Sequence, residues 1–323
     1  MINENYFLTD ISNAPLKPMR DVYGEGLVEA AKRNDSVVAL VGDLIESLKL
    51  EEFKKTYPER LFEMGIAEQN MMGVAAGMSV AGKIPFVNSF ACFSPGRNWE
   101  QLRVSVCLTK NNVKVIGGHS GFGNGVDGTN QQSYEDIALT RVLPNMTVIA
   151  PVDYEQAKKA TIAIASYLGP VYMRMTKPAR QVITNRITPF EIGKAQVLRT
   201  GTDVTIFACG SGVYEALLAA LEVSGEISVE VVNVHTIKPI DKEAIILSAR
   251  KTRRVITVEE HSIIGGLGGA VSEVLSENCP TQMTRIGMPD TFGESGDPTD
   301  LMKKYGISKR HVIEEIKKIM NLD

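Results

Sequence analysis

Short apolar runs alternate with longer segments of helical periodicity along the chain. Runs rich in β-branched and aromatic residues, such as VVALV from Val37 and IPFVNSF from Ile84, are typical of buried strands. Helices are predicted to begin near Asp21 and Tyr154, and SKRHVIEEIKKIM at the end of the chain repeats its apolar residues at helical spacing. This alternation predicts an α/β protein with parallel sheets that are covered by helices on both faces.

The predicted strands form two groups. Further strands of the first group are VKVIG from Val113, TVIAP from Thr147 and VYMRM from Val171, and those of the second are VTIFA from Val204, VEVVNV from Val229, RVITVEE from Arg254 and MTRIG from Met283. A chain of 323 residues also exceeds the usual size of a single core, about 250–300 residues. We therefore predict two α/β domains, at 17–180 and 192–323, an N-terminal arm at 1–16 and a linker at 181–191.

Composition narrows the class of protein. Hydrophobic residues make up 44% and charged residues 23%, as in ordinary folded proteins, and the net charge of -3 comes without a basic run that would bind nucleic acid. No apolar stretch reaches the roughly 18 residues of a membrane span, and the first residues do not resemble a signal peptide. The four cysteines show no C-x-x-C spacing, which disfavours a zinc site or a disulfide framework. A cytoplasmic protein without a nucleic-acid or membrane partner is expected.

Two glycine-rich loops each follow a strand and open a helix, CGSG at 209–212 and GGLGG at 265–269. Helix-terminal amides in such loops can bind phosphate. Neither loop completes G-x-G-x-x-G, and the chain has no G-x-x-x-x-G-K-[ST]. Tight packing between strand and helix is the expected role of both loops.

Glu68 is the most informative polar residue, because it lies in the first turn of an apolar helix within FEMGIAEQNMMGVAAGMSV. The helical wheel places Met72, Ala75 and Ser79 around it, so the carboxylate is expected to face small apolar neighbours, which would raise its pKa. A simpler alternative is an N-terminal glutamate that is stabilised by the helix dipole.

Aromatic and glycine-rich segments follow the next two predicted strands. Phe90 and Phe93 in NSFACFSPGRNW could stack on a flat ring, although core packing also explains them. GGHSGFGNGVDGTNQQS holds His119 and Asp127 in a loop that lets backbone approach a ligand closely. Loops at the carboxyl ends of strands commonly carry function in α/β folds.

These residues together resemble the C-terminal half of transketolase, in the split form in which this half is a separate chain. MGIAEQNMMGVAAG, the two phenylalanines, HSGFGNGVDG, LPNMTVIAP and GPVYMRM follow the family's order, as do VVNVHTIKPID, VEEHSIIGGLGGAV and TFGES later in the chain. The resemblance covers about residues 17 to 323. It implies a pyrimidine-binding domain followed by a transketolase C-terminal domain.

The resemblance implies an enzyme that uses thiamine diphosphate and Mg²⁺ to transfer a two-carbon ketol unit from a ketose to an aldose, with the cofactor as electron sink. Glu68 matches the glutamate that hydrogen-bonds the aminopyrimidine ring. Phe90 and Phe93 match the aromatic wall of that pocket, and Asp43 is expected to contact the cofactor. Glu68 and His119 are the expected catalytic residues.

Substrate contacts are implied in the same way. Positions that grip the sugar phosphate in transketolases match Arg20, Ser47, His119 and Arg174. Asp127 matches a residue that contacts a substrate hydroxyl. Gln131 departs from the family pattern D-G-x-T-H, which has histidine there, and glutamine can hydrogen-bond but cannot relay a proton. This departure favours a variant sugar or a different anionic tail, such as a sulfonate.

The sequence lacks the G-D-G…N segment that holds Mg²⁺ and the diphosphate in this superfamily. We therefore expect a separate N-terminal, diphosphate-binding transketolase subunit to hold both, in an α2β2 heterotetramer with sites between subunits.

Three alternatives remain open. The β subunit of a 2-oxo acid dehydrogenase E1 has similar length, domains and cofactor, but GIAEQN and TFGES favour a transketolase. A 1-deoxyxylulose-phosphate synthase shares GIAEQ and VEEH, but that family normally keeps its diphosphate-binding half on the same chain. A non-catalytic scaffold subunit is the third alternative. His261 is interpreted as a loop or interface histidine.

Overall fold

The computed structural model describes residues 11–322, so residues 1–10 of the predicted arm and residue 323 lie outside the described part. The strands are β1 (Leu16–Pro18), β2 (Val37–Val41), β3 (Leu61–Glu63), β4 (Ile84–Phe90), β5 (Lys114–Gly118), β6 (Thr147–Ile149), β7 (Val171–Arg174), β8 (Ala179–Gln181), β9 (Gln196–Arg199), β10 (Val204–Ala208), β11 (Val229–Asn233), β12 (Thr236–Lys238), β13 (Arg254–Ser262) and β14 (Gln282–Met288).

The α-helices are α1 (Met19–Arg33), α2 (Glu51–Thr56), α3 (Glu68–Val80), α4 (Trp99–Gln101), α5 (Asp136–Arg141), α6 (Tyr154–Ser166), α7 (Gly212–Glu222), α8 (Lys242–Thr252), α9 (Leu267–Asn278), α10 (Pro298–Lys304) and α11 (Lys309–Met320). A π-helical segment, Leu102–Leu108, continues α4, and the 3-10 turns are Pro58–Arg60, Phe122–Asp127 and Thr129–Gln131.

The first domain is built on a seven-stranded sheet with the order β12-β6-β7-β5-β4-β2-β3. All of its pairs are parallel except β12 with β6. Helices α1 and α6 cover one face, whereas α3 and the π-helical segment cover the other. Because both faces are covered, the central strands are buried along their whole length, which confirms the predicted α/β class.

The second domain has a five-stranded sheet with the order β14-β13-β10-β11-β9. Strands β10, β11, β13 and β14 are parallel, and β9 runs antiparallel at the edge. Helices α7 and α11 pack on one face, and α8 and α9 on the other. The sheets are therefore mixed rather than purely parallel. The sequence did not predict β9 or β12, because both strands are short and neither shows a strong apolar alternation.

The two domains pack closely on each other. Strand β12 follows the first strands of the second domain in the chain, but it pairs with β6 of the first. Lys238 at its end donates hydrogen bonds to the carbonyls of Arg141 and Leu143, at 2.9 and 2.5 Å. One hydrophobic core contains Met71 of α3 and Val271 of α9. The predicted domain boundaries remain predictions.

Asp153 fixes the connection that follows the first sheet. It is fully buried at the N-cap of α6, where Oδ1 accepts hydrogen bonds from Gln156 N at 2.9 Å and from Thr184 Oγ1 at 2.8 Å. Its Oδ2 accepts from the backbone N–H groups of Ile183 and Thr184, at 2.8 and 2.6 Å. One carboxylate therefore caps the helix and holds the predicted linker against it.

Replacement of Asp153 by alanine is expected to lower the free energy of unfolding by about 3 kcal/mol, because a helix cap and charge-assisted bonds to a buried segment are lost together. Asp297→Ala provides the matched control. Asp297 is an exposed N-cap that accepts from Thr299 N and Asp300 N of α10, so its loss should cost about 1 kcal/mol. Urea titration measures both values, and equal losses would contradict the linker role.

Candidate active site

Glu68 is the first residue of α3, and only 4% of its surface is exposed. Arg97 Nη1 lies 3.1 and 3.2 Å from its two carboxylate oxygens, and Ser89 Oγ donates to Oε1 at 3.4 Å. Its backbone carbonyl accepts from Asn98 Nδ2 at 3.3 Å. The predicted burial is confirmed, and Arg97 and Ser89 are polar partners that sequence analysis did not name, which a buried carboxylate requires.

Arg97 joins Glu68 to the aromatic pair. Its guanidinium carbon lies 4.0 Å from the centre of the Phe93 ring, a cation–π contact. Phe93 in turn stacks on Phe90, with ring centres 5.9 Å apart and planes inclined by 26°. Sequence analysis did not single out Arg97. The available signal was a basic residue one helical turn after Phe93.

His119 follows β5 with a left-handed backbone, at φ 58°. Its ring centre lies 4.1 Å from that of Phe90, it is buried, and no protein partner is present for Nδ1 within the described residues. The pKa of His119 is lowered to about 3, mainly by burial and to a smaller extent by the positive charges of Lys177 and Arg20. The imidazole is therefore neutral near pH 7, where it can donate or accept a hydrogen bond but does not carry a positive charge.

An open cavity of about 600 Å³ is lined by Asp43, Ser47 and Glu63, among others. Arg20 approaches its wall, because Nη1 donates to the Ser47 carbonyl at 3.3 Å. Asp43 has a left-handed backbone with φ 60°, and its N–H donates to Glu63 Oε1 at 2.6 Å. The volume of the cavity is in the range of small-molecule sites.

Asp127 and Gln131 lie on the 3-10 turns that follow His119. Asp127 is exposed and forms a long ion pair with Lys177, whose Nζ lies 4.0 Å from Oδ2. Gln131 is half-buried. Lys177 is a second cation of this region that sequence analysis did not identify.

Arg174 is engaged by other protein groups. Its Nε lies 2.9 Å from Asp136 Oδ2, and both terminal nitrogens donate to the Glu260 carbonyl at 3.2 Å, in the interface between the domains. The cavity beside Arg174 holds only about 10 Å³, less than a single sugar needs. Its contact with substrate stays a prediction.

The GGLGG loop is occupied by the protein itself. Glu259 accepts hydrogen bonds from the N–H groups of Leu267 and Gly268 at 2.6 and 2.8 Å, so a carboxylate takes the place that a phosphate could occupy. His261 is fully buried against the first domain and accepts from Ala138 N at 3.3 Å. It is the interface histidine that was expected.

The cluster fits the pyrimidine half of thiamine diphosphate. A buried carboxylate, stacked aromatic rings and an imidazole nitrogen without a protein partner suit a flat ring that carries nitrogen donors and acceptors.

Residues 11–322 contain no group of three or more His, Cys, Asp or Glu side chains that could hold a metal ion. None of the helices in the same range combines the length and apolar character that a membrane span requires.

Two α/β domains with mixed, mainly parallel sheets, of which the first carries this pyrimidine-type site, define the class of protein. The sequence matches the family description "Transketolase, pyrimidine binding domain" over residues 17–181 and "Transketolase, C-terminal domain" over residues 193–312. The chain belongs to the transketolase family, and thiamine diphosphate dependence follows from that membership.

Three similar proteins have the same extent as this chain. A putative transketolase C-terminal section of Methanocaldococcus jannaschii is 46% identical, over 94% of this chain and 97% of its own length. A 6-deoxy-6-sulfo-D-fructose transketolase subunit of Clostridium sp. (strain MSTE9) is 43% identical, over 91% and 92%. A solved structure described as a split gene transketolase, inactive beta4 tetramer, has a TM-score of 0.88 and 45% identity, over 94% and 99%. The chain therefore matches the separate C-terminal half of split transketolases.

Arg97→Met is expected to lower the free energy of unfolding by about 1–2 kcal/mol, because the buried Glu68 carboxylate loses its cation. In a Glu68→Gln background the same substitution should lower the free energy of unfolding much less, since no buried carboxylate charge remains. Urea titration of both single variants and the double variant measures the coupling. Arg103→Met, at an exposed arginine of the neighbouring π-helical segment, is the control. Equal costs in both backgrounds would show that the two residues are not coupled.

Proposed function

We propose that this chain is the C-terminal subunit of a split transketolase, which transfers a two-carbon ketol unit from a ketose to an aldose. The observation that carries this proposal is the Glu68 carboxylate, which is buried next to the Phe90–Phe93 stack. Burial of this acidic group is costly, and Arg97 compensates its charge. The arrangement keeps a carboxylate beside aromatic rings that could hold a flat ligand ring.

The chain's own residues are proposed to bind and activate the pyrimidine ring. Glu68 accepts a hydrogen bond from a ring nitrogen and holds a proton at that atom, and Phe90 and Phe93 supply the apolar wall. Asp43 is proposed as a further cofactor contact from the cavity wall. When bound, thiamine diphosphate supplies the electron sink for cleavage of the C–C bond.

The substrate is proposed to bind between His119 and the open cavity. Neutral His119 forms a hydrogen bond with a substrate oxygen, and the positive charge of Arg20 attracts an anionic tail. The other proposed substrate contacts are Ser47, Asp127, Gln131 and Arg174. Arg174 would act from the end of β7, where it is now paired with Asp136.

A variant anionic sugar is proposed in place of the usual pentose phosphates. Gln131 supports this, since it replaces the family histidine with a group that cannot relay a proton. A further support is a similar subunit that is named for a sulfonated fructose. A phosphate or a sulfonate tail could each pair with the guanidinium of Arg20.

The diphosphate and Mg²⁺ are proposed to be held by an N-terminal transketolase subunit in an α2β2 heterotetramer. Similar proteins of the same extent are named as a section or a subunit, and the inactive assembly among them is a tetramer of β chains alone. Domains at 17–180 and 192–323 with a linker at 181–191 belong to this proposal. The proposal also includes a reducing, cytoplasmic location, which is supported by the free thiols of all four cysteines.

Glu68→Gln is expected to lower kcat of the reconstituted enzyme by about 10²–10⁴-fold, because the amide cannot hold the proton. Assembly with the partner subunit should remain intact, as measured by size-exclusion chromatography. Glu226→Gln, at an exposed glutamate of the second domain, should leave turnover unchanged. Undiminished turnover of Glu68→Gln would remove this assignment.

The reaction itself separates the proposal from a 2-oxo acid dehydrogenase E1. The reconstituted enzyme is expected to cleave ketoses that carry a phosphate or sulfonate and to leave pyruvate intact. Pyruvate decarboxylation without ketose cleavage would favour the alternative.

A further inference from the structure

The glycine-rich segment 121–132, here called the substrate loop, contacts the second domain at its beginning, middle and end. This segment carries Asp127 and Gln131, and the following argument rests on the proposed function, in which both contact substrate. Its glycines let the backbone adopt several conformations, so outside contacts must select one of them.

The beginning of the loop is anchored by Glu260 of β13, a carboxylate that is 4% exposed. Its Oε1 accepts from Phe122 N at 2.8 Å. The Phe122 ring stacks on Tyr305, just after α10, with centres 5.7 Å apart. Gly121 has φ 60°, and an added Cβ would overlap Glu260 Oε1. Only glycine therefore allows this close approach.

The end of the loop is anchored by Gln132, which is 3% exposed. Its Nε2 donates to the Glu294 carbonyl at 2.9 Å, and its Oε1 accepts from Tyr134 Oη at 2.5 Å. Glu294 belongs to residues 289–297, here called the brace, which follow β14 and include the TFGES motif. The amide of Gln132 thus connects the loop with the backbone of the other domain.

The middle of the loop meets the brace directly. Gly296 N donates to the Gly125 carbonyl at 3.0 Å, and an added Cβ on Gly125 would overlap the Gly296 carbonyl. Between these anchors Asp127 remains exposed. The two candidate substrate residues therefore lie on a short span whose position depends on the brace.

We propose that Gln132 is a positioning residue, and that through it the brace of the C-terminal domain sets the substrate affinity of the loop. Gln132 has its polar atoms bound to protein and is buried, so it acts through Asp127 and Gln131 and not by touching substrate. The C-terminal domain then contributes to specificity as well as to assembly.

Two variants test the contact from its two sides. Gln132→Met keeps the length of the side chain but removes its hydrogen bonds. Gly293→Ala changes the brace alone, because the new Cβ would meet the Gln132 amide and lie 2.7 Å from Tyr134 Oη. Gln282→Met makes the same chemical change at an exposed residue at the other end of β14 and serves as the control.

Hydrogen–deuterium exchange of residues 121–132 in the full chain is expected to be faster in both variants, and unchanged in the control. In the reconstituted enzyme both variants should raise KM of the anionic substrate about 10-fold and leave kcat within about 2-fold, because the loss of the hydrogen bonds between loop and brace affects the placement of the loop.

Unchanged exchange in both variants would overturn the proposal whatever the activity. Faster exchange with a fall in kcat at constant KM would also overturn it, since the loop would then not govern affinity. A third outcome combines faster exchange in both variants with a reconstituted wild-type enzyme that cleaves no ketose. It would reject the proposed function but would still establish the coupling between brace and loop.

Discussion

The candidate site depends on a carboxylate that is removed from water at the first turn of α3. Burial of a charge is costly unless it is paired and hydrogen-bonded, and here Arg97 contacts both oxygens of Glu68. Arg97 also covers the face of Phe93, which stacks on Phe90, which in turn contacts His119. Arg97, Phe93, Phe90 and His119 thus form one continuous set of contacts, which begins at the compensated charge of Glu68.

The second domain also contacts the loop that follows His119. Its strand β13 carries Glu260, which binds both the loop backbone at Phe122 and the guanidinium of Arg174. Arg174 is paired as well with Asp136 of the first domain, and all three residues are buried. Removal of one partner from such a group leaves an uncompensated charge. The domain interface is therefore held by buried polar contacts where it meets the substrate loop.

Much of the fold could be predicted from local patterns. The buried parallel strands have continuous apolar runs, and the burial of Glu68 followed from its position on the helical wheel. Contacts between residues far apart in the sequence could not be predicted in this way. The partner of Glu68 lies 29 residues away, and Gln132 binds a carbonyl 162 residues away. Edge strand β9 was missed because its side chains are all half-buried and show no alternation.

The most direct test of the central claim is a calorimetric titration of thiamine diphosphate with Mg²⁺ into this chain, alone and mixed with a diphosphate-binding transketolase subunit. We expect binding in the mixture and none to the chain alone, because we assign only the pyrimidine side of the site to this chain. Tight binding to the isolated chain would reveal a diphosphate site within it and contradict the division between subunits. A mixture that assembles but does not bind the cofactor would contradict the assignment of the pyrimidine site.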